Sequence, residues 1–466
     1  VKYHTTLDRA GSAAASAAPL YGAWSVERRR DLLHACAAGL EAVRAELVEL
    51  AVAETGLGAE RLDGEITRTA GQLRLYGDHV AAGRHLSSRR SPGAALGGAD
   101  VWTIDVPLGP VAVFAASNFP FAFGVPGGDT ASALAAGCPV VVKGHPAQPE
   151  LSRRLAGILA AAVEAADAPE GTFTFVDNDS AGVGADPKIL SIDLVQHPAI
   201  KAVGFTGSLG GGRALMDAAA ARPEPIPVYA EMSSVNPVFV LPGAAREEKW
   251  AGILAGSVVG SAGQLCTKPG LIFVPDSESG SALGSSIQAE LFGSGEIPML
   301  TDGMAAAHEG WRRRMVREDA VTVENPTPAA PRTGRPFAVQ ISARDLAGGY
   351  LEEHFGPATV IVSADPAEYA ELANRLEGQL TATIIAADED EADREAARAL
   401  IPALAAKAGR VVWNNVPTGV AVVEAMQHGG PWPATSASWS TSVGTEAIRR
   451  FVRPVAMQGV PEDLVG

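Results

Sequence analysis

The sequence predicts an α/β protein of two doubly wound lobes, each a mostly parallel sheet with helices on both faces. Short β-branched and apolar runs at 111–116, 140–142, 173–176 and 202–205 alternate with Ala-rich helical stretches at 130–136, 150–166 and 212–221. Strands buried on both faces read as continuous apolar runs, and the helices between them supply the crossovers that parallel pairing requires. The same alternation restarts near Pro237, with runs at 238–241, 271–274, 359–362, 381–385 and 411–413 and a helical segment at 367–376. Length agrees: 466 residues exceed what one hydrophobic core usually spans.

Taken in order, the first residues, small and Ala/Ser-rich over 11–18, read as a flexible entry segment without the apolar centre of a signal peptide. Residues 26–86 carry apolar positions at helical spacing (Leu32, Leu33, Cys36, Leu40, Leu47) and read as packed helices. A Ser/Gly-rich loop over 87–100 leads to the alternating stretch 101–106, a strand stopped by Pro107 and plausible as part of a protruding hairpin. Between the strands of the second lobe, 325–335 with Pro326, Pro328, Pro331 and Gly334 reads as a surface excursion.

Composition removes several functions. With 37 Lys+Arg against 53 Asp+Glu the net charge is −16, which disfavours non-specific attraction to nucleic acid or anionic membranes. No run reaches the length of a membrane-spanning helix. Cys36, Cys138 and Cys266 are too few and too scattered for a disulfide framework or a four-ligand zinc site, which suits a reducing cytoplasm. His145, His354 and His428 lack ligand partners at usable spacing, so no metal is expected.

Cys266 stands in Gly263-Gln-Leu-Cys266-Thr-Lys-Pro-Gly270, among small residues that let a substrate approach a thiolate nucleophile. Cys36 and Cys138 read as buried structural thiols. Glu231 ends a strand-like run, where a carboxylate faces the ligand crevice of an open sheet and apolar neighbours would raise its pKa toward general-base range. Asn118 follows another strand; its amide either donates to an oxyanion or closes a turn. Phe205-Thr-Gly-Ser-Leu-Gly-Gly-Gly212 opens a helix with glycines that let backbone N–H groups reach a phosphate. Lys143, at a strand end, and the acidic Glu352-Glu-His-Phe-Gly-Pro357 segment are further candidates for holding riboses.

In this order, Ser117-Asn-Phe-Pro120, Lys143, Phe205-Thr-Gly-Ser208, Glu231, Gly263-Gln-Leu-Cys266 and Glu353-His-Phe-Gly-Pro357 resemble the aldehyde dehydrogenase superfamily along essentially the whole chain. Ala221-Arg-Pro-Glu-Pro-Ile-Pro-Val-Tyr-Ala-Glu231, Ser234-Val-Asn-Pro-Val238, Pro417-Thr-Gly-Val420, His428-Gly-Gly-Pro431 and Phe451-Val-Arg-Pro454 look like the α-ketoglutarate semialdehyde and NADP-linked branch. The resemblance implies Cys266 as nucleophile, Asn118 as oxyanion donor and Glu231 as the base that hydrolyses a thioester, releasing free acid rather than passing the acyl group to coenzyme A. It places the pyrophosphate near Gly207, Ser208 and Gly212, one ribose near Lys143, and the other near Glu353, with Phe355 beside it. Pro146 stands where NAD-preferring relatives commonly carry an acid, so NADP is expected, with NAD as second choice. Ser233, Ser234 and His354 depart from the pattern of many relatives.

The same resemblance implies two Rossmann-like lobes and a small β arm. Residues 1–87 with 107–232 form the NAD(P)-binding domain, 233–432 the catalytic domain, and 88–106 with 448–466 an oligomerisation arm whose strand edges call for a homodimer or homotetramer. A semialdehyde carrying a second carboxylate calls for a basic residue at the entrance, Arg68 or Arg74. An entrance apolar along its length would instead suit a fatty or broad range of aldehydes. Without cofactor binding, the same cysteine would serve non-redox acyl transfer or thioester hydrolysis.

Overall fold

A computed structural model describes residues 5–85, 89–93, 97–179, 187–317 and 330–464. The first sheet has five parallel strands in the order Phe173–Val176, Val140–Lys143, Val111–Phe114, Ala202–Thr206, Val228–Glu231. Chain order therefore reverses between Val111–Phe114 and Ala202–Thr206. Loops leaving the C-terminal ends of two such strands diverge to opposite faces and leave a crevice. Asn118 follows the first strand, and Gly207 with Ser208 follows the second, so both stand at that crevice.

The second sheet has six parallel strands, ordered Phe337–Ser342, Ala358–Ala364, Leu271–Pro275, Val238–Val240, Gln379–Ile385, Ala408–Trp413. Five coincide with the apolar runs of the sequence. The sixth, Phe337–Ser342, has no counterpart among the expected strands, because Gln340 interrupts its apolar pattern; that amide bonds Gln288 on the covering helix at 3.2 Å. Part of the proposed excursion, 325–329, lies outside the described residues, as do 87, 88 and 94–96 of the 87–100 loop.

The entry segment is not flexible. Thr5–Gly22 is a helix whose Leu7, Ala10, Ala14, Ala17 and Tyr21 are buried on one face. Ala is the best helix former, and small residues here permit close approach: a Cβ on Gly11 would lie 2.2 Å from the His197 ring. Tyr21 fastens the helix by donating to the Leu134 carbonyl at 2.9 Å.

Helices Val26–Ala42 and Ala59–Ala81 pack together and against the helix Gly128–Ala136 that lies on the first sheet. In Ala59–Ala81, Leu62, Ile66, Leu73, Tyr76 and Val80 are fully buried, and each such side chain stabilises by about 1.5–3 kcal/mol. Leu73→Ala would leave a cavity there and cost about 2–5 kcal/mol.

Val101–Pro107 pairs antiparallel with Val452–Gln458, from Val101 opposite Gln458 to Pro107 opposite Val452, and Arg90–Ser91 pairs on its other side. Every residue of Val101–Pro107 is only half-buried. Among the described residues no helix is long and apolar enough to cross a membrane.

Candidate active site

A cavity of about 370 Å³ opens at the crevice, lined among others by Asn118, His145, Gly207, Ser208, Glu231, Cys266, Glu353 and Phe355. Seven of the sequence candidates thus meet in one place. Lys143 and Gly212 do not line it. Lys143 is buried at its strand end, where burial holds its ammonium below the usual lysine range against the pull of Asp177. Gly212 lies one turn into helix Leu209–Ala220, where a Cβ would meet the Met232 sulfur at 2.4 Å, so its role in this packing is close approach.

Cys266 follows a backbone run of unusual shape. Ser261, Ala262 and Gly263 all have positive φ (52°, 57° and 64°), which costs a residue with a side chain about 1–2 kcal/mol. A Cβ at 263 would lie 2.1 Å from the Gly356 carbonyl, so only glycine lets the segment before Cys266 approach the one that carries Glu353. From behind, the Asn236 amide donates to the carbonyls of Cys266 (2.9 Å) and Lys268 (3.0 Å). Gln379 in turn accepts from the Val235 and Asn236 backbone N–H groups at 2.9 and 3.0 Å.

Around the thiol, His428 Nε2 lies 3.5 Å from Cys266 Sγ and 3.0 Å from Glu231 Oε1. Ser442 Oγ donates to the other Glu231 oxygen at 2.5 Å. Burial alone would push the Glu231 carboxyl up, as expected from sequence. The outcome is the reverse: the neighbouring His428 ring, with hydrogen bonds from His428, Ser442 and Cys266, holds it below the usual range. The Cys266 thiol is pushed well up, by burial first and by the Glu231 charge second. A proton therefore belongs on sulfur at rest, hydrogen-bonded to an ionised carboxylate. Sequence spacing set His428 apart from any ligand set; the fold closes 162 positions to bring it beside Cys266.

Asn118 donates through Nδ2 to the Gln264 carbonyl at 3.1 Å, which orients the amide toward the cavity wall that holds Cys266. Its loop is gripped by helix Ala59–Ala81. Glu65, buried, accepts from the backbone N–H groups of Phe121 and Ala122 at 2.8 and 2.9 Å, and Arg61 donates to the Asn118 carbonyl at 2.6 Å. Farther along that helix Arg68 lies over the rings of Phe119 and Phe123 at 5.5 and 5.7 Å and feels the charges of Glu65, Cys266 and Glu231. Arg74 instead makes a bidentate pair with Glu41 (2.8 and 2.5 Å) and is committed elsewhere. Reading the sequence missed Arg61, Glu65 and Ser442. The available signal was Glu65, a charge set within the apolar stripe of Leu62, Ile66 and Leu73.

On the opposite wall Ser208 caps helix Leu209–Ala220, accepting from Gly211 N at 3.2 Å, and a Cβ at Gly210 would meet no atom within 4 Å. An open helix N-terminus of this kind suits a phosphate. Glu353 is held by the Ser233 hydroxyl and the Ser234 N–H, yet burial carries its carboxyl up to about 7. Ser234 also bonds Gln379 (2.9 Å) and accepts from Leu380 N (3.0 Å), tying the segment after Glu231 to the second sheet. His354 turns away from the cofactor wall: its ring stacks on Trp311 at 4.3 Å and reaches His308 at 2.7 Å, and burial keeps both histidines neutral at ordinary pH. A second hollow of about 140 Å³ adjoins at Gly144, His145, Pro146, Ser152, Arg153 and Asp177.

A model of the aldehyde dehydrogenase family matches residues 3–289. The chain is 43% identical over 470 residues to α-ketoglutaric semialdehyde dehydrogenase 2 of Azospirillum brasilense, covering 98% of this chain and 88% of that one. It is 40% identical to α-ketoglutaric semialdehyde dehydrogenase of Acinetobacter baylyi, covering 98% and 87%. Among solved structures, the NADP-dependent glyceraldehyde-3-phosphate dehydrogenase of Bacillus halodurans, complexed with NADP, superposes with a TM-score of 0.80 over 97% of this chain and 91% of that one at 22% identity, a likeness of fold.

Proposed function

Since the chain belongs to the aldehyde dehydrogenase family, we propose that it oxidises α-ketoglutarate semialdehyde to α-ketoglutarate with NADP as electron acceptor and NAD as a poorer substitute. The observation that carries this is the convergence of Cys266, Glu231 and Asn118 on one cavity, with the Arg68 guanidinium set over two phenylalanine rings and within electrostatic reach of Glu231. Arg68 is the residue we assign to the far carboxylate of the substrate. It is amphipathically cradled, and its hydrogen bond to the Val420 carbonyl, at 3.4 Å, is long enough to be exchanged for a charged partner.

In this reading Glu231 takes the thiol proton as sulfur adds to the aldehyde carbon. The new oxyanion accepts from Asn118 Nδ2 and from the Cys266 backbone N–H. NADP, when bound, accepts the hydride that converts the thiohemiacetal to a thioester. Glu231 gives the thiol proton up to solvent and, ionised again, deprotonates a water that attacks the thioester; the thiolate leaves and recovers that second proton from Glu231. His428, against both Glu231 and Cys266, favours the return of the carboxylate to its ionised form between these steps. Removing one oxyanion donor costs roughly 10²–10³ in kcat.

The residues present suit a dinucleotide. The open helix start at Gly207, Ser208 and Gly210 would take the pyrophosphate, with Gly212 keeping that helix close to its strand; Glu353 and Phe355 would hold the nicotinamide ribose, and Lys143 the other. Pro146 offers no charge to repel a 2′-phosphate, and Arg153 lines the same hollow, where it is paired with Asp177 and Asp179. We divide the labour as 1–87 with 107–232 for cofactor and 233–432 for the nucleophile. The exposed edge of Val452–Gln458, with 88–106, forms the arm of a homodimer or homotetramer.

The test is reduced-nicotinamide formation by the full chain with α-ketoglutarate semialdehyde, each cofactor in turn, and Cys266→Ala as control. Turnover that vanishes in the variant and favours NADP is expected. Equal rates with a simple alkyl aldehyde would reject the substrate assignment, and no turnover with any aldehyde would reject the reaction.

A further inference from the structure

We propose that Cys266, Glu231 and His428 form a three-ligand site for zinc, which binds reversibly and shuts the enzyme off. Their sulfur, oxygen and nitrogen donor atoms all lie within 4.8 Å of one another, and Glu231 and His428 are buried. Zinc at its usual bond lengths to sulfur, nitrogen and carboxylate oxygen makes a tetrahedron with edges of about 3.4 Å (N to O) and about 3.6 Å (N to S). The site already presents 3.0 Å from His428 Nε2 to Glu231 Oε1 and 3.5 Å from His428 Nε2 to Cys266 Sγ. The N-to-O edge has to open by about 0.4 Å, and the sulfur-to-oxygen edge, within 4.8 Å here, to settle near about 3.6 Å. The fourth position faces the 370 Å³ cavity, where a water completes the shell.

Donor chemistry selects the ion. Thiolate, imidazole and one carboxylate suit zinc, whereas magnesium and calcium require an oxygen shell of six or more ligands that this site does not offer. Binding balances as proton release to solvent: zinc displaces the thiol proton and any proton on His428 Nε2, the imidazole then binding through Nε2 with a ring proton on Nδ1 and the carboxylate through one oxygen. That Nδ1 is buried without a partner, so the ring lacks the carboxylate or carbonyl that fixes a resident zinc ligand. The ion is therefore an exchangeable inhibitor. Because nucleophile and base are both ligands, occupancy and turnover exclude each other.

The inference uses the roles assigned above only for its inhibitory consequence, so binding is tested apart from turnover. Cobalt(II), a spectroscopic stand-in for zinc, is titrated into the full chain without cofactor under reducing, anaerobic conditions. The near-ultraviolet thiolate-to-cobalt band is expected, and it should be absent in Cys266→Ala, because Cys36 and Cys138 are buried. Zinc affinity, measured by competition with a chromophoric chelator, is expected to fall at least about tenfold in His428→Gln and in Glu231→Gln. Circular dichroism, with His428→Asn as a second variant, checks folding. In turnover assays zinc should inhibit, a chelator should restore the rate, and magnesium should do neither. Absence of the thiolate band, or unchanged zinc affinity in both folded variants, overturns the site. A band with weakened variants upholds it even in a protein that oxidises no aldehyde, which would count only against the dehydrogenase reading.

Discussion

Replacing Glu65 by Gln tests whether the loop that carries Asn118 is held in register from outside the cavity. Glu65 makes no contact with substrate in the proposed reading; it accepts two backbone N–H bonds, from Phe121 at 2.8 Å and Ala122 at 2.9 Å. A hydrogen bond to a charged acceptor is worth about 1.5–3 kcal/mol and a neutral one about 0.5–1.5. Converting both weakens the clamp by about 2 kcal/mol. If that loss appears wholly as displacement of the oxyanion donor, kcat falls by roughly 30-fold. The assay is steady-state turnover of parent, Glu65→Gln, Asn118→Ala and the double variant, with thermal melts alongside. A positioning residue works only through what it positions, so the Glu65→Gln loss should disappear when Asn118 is already Ala. Equal losses in both backgrounds would refute the reasoning, as would an unchanged kcat in Glu65→Gln.

Arg68→Ala should lower kcat/KM for the carboxylate-bearing semialdehyde by about 10- to 150-fold, the worth of one charged pair, and leave an alkyl aldehyde nearly untouched; Arg74→Ala, which breaks only the pair with Glu41, should discriminate between neither, and parallel kinetics on the two aldehydes decide this. Pro146→Glu should cut the NADP-to-NAD preference at least about tenfold by facing a 2′-phosphate with a carboxylate, read from the ratio of kcat/KM values. Glu309 is held at about 2 by its hydrogen bond to Arg312, which outweighs its burial, with Arg313 adding to the effect. Its native pKa lies below the unfolded one, so it contributes at most about 3 kcal/mol at neutral pH, and that contribution fades as pH falls toward 2. Urea melts of parent and Glu309→Gln should therefore differ at pH 7 and converge in acid. Sedimentation should give a dimer or tetramer, and a monomer at micromolar protein would reject the arm assignment.

What the sequence disclosed was whatever its chemistry keeps local. Cys266 among small residues, Glu231 at a strand end and Ser208 opening a helix each carry a signature within a few positions, and the fold assembles them at the crevice. His428 and Ser442 carry none, because their meaning is a contact with Glu231 made across two lobes. Arg68 and Arg74 sit on one helix six residues apart, about 120° apart in azimuth, and only the packing of that helix separates the one set toward Glu231 and Cys266 from the one paired with Glu41. The entry segment misled for a related reason: small residues signal mobility in a loop and close packing in a helix, and local composition does not distinguish the two.

The arm is spliced into the catalytic framework rather than appended to it. Val101–Pro107 runs through Leu108 and Gly109 straight into the central strand Val111–Phe114, which delivers Asn118 at its far end. Its partner strand leaves from Phe451, whose carbonyl accepts from both Leu108 N (2.9 Å) and Cys138 Sγ (3.3 Å) inside the first core. In the oligomer proposed above, subunit contact and the placement of Asn118 would thus be two ends of one lever, with its fulcrum at Phe451. Dilution that parts the subunits is expected to blunt kcat while the protomers are still folded.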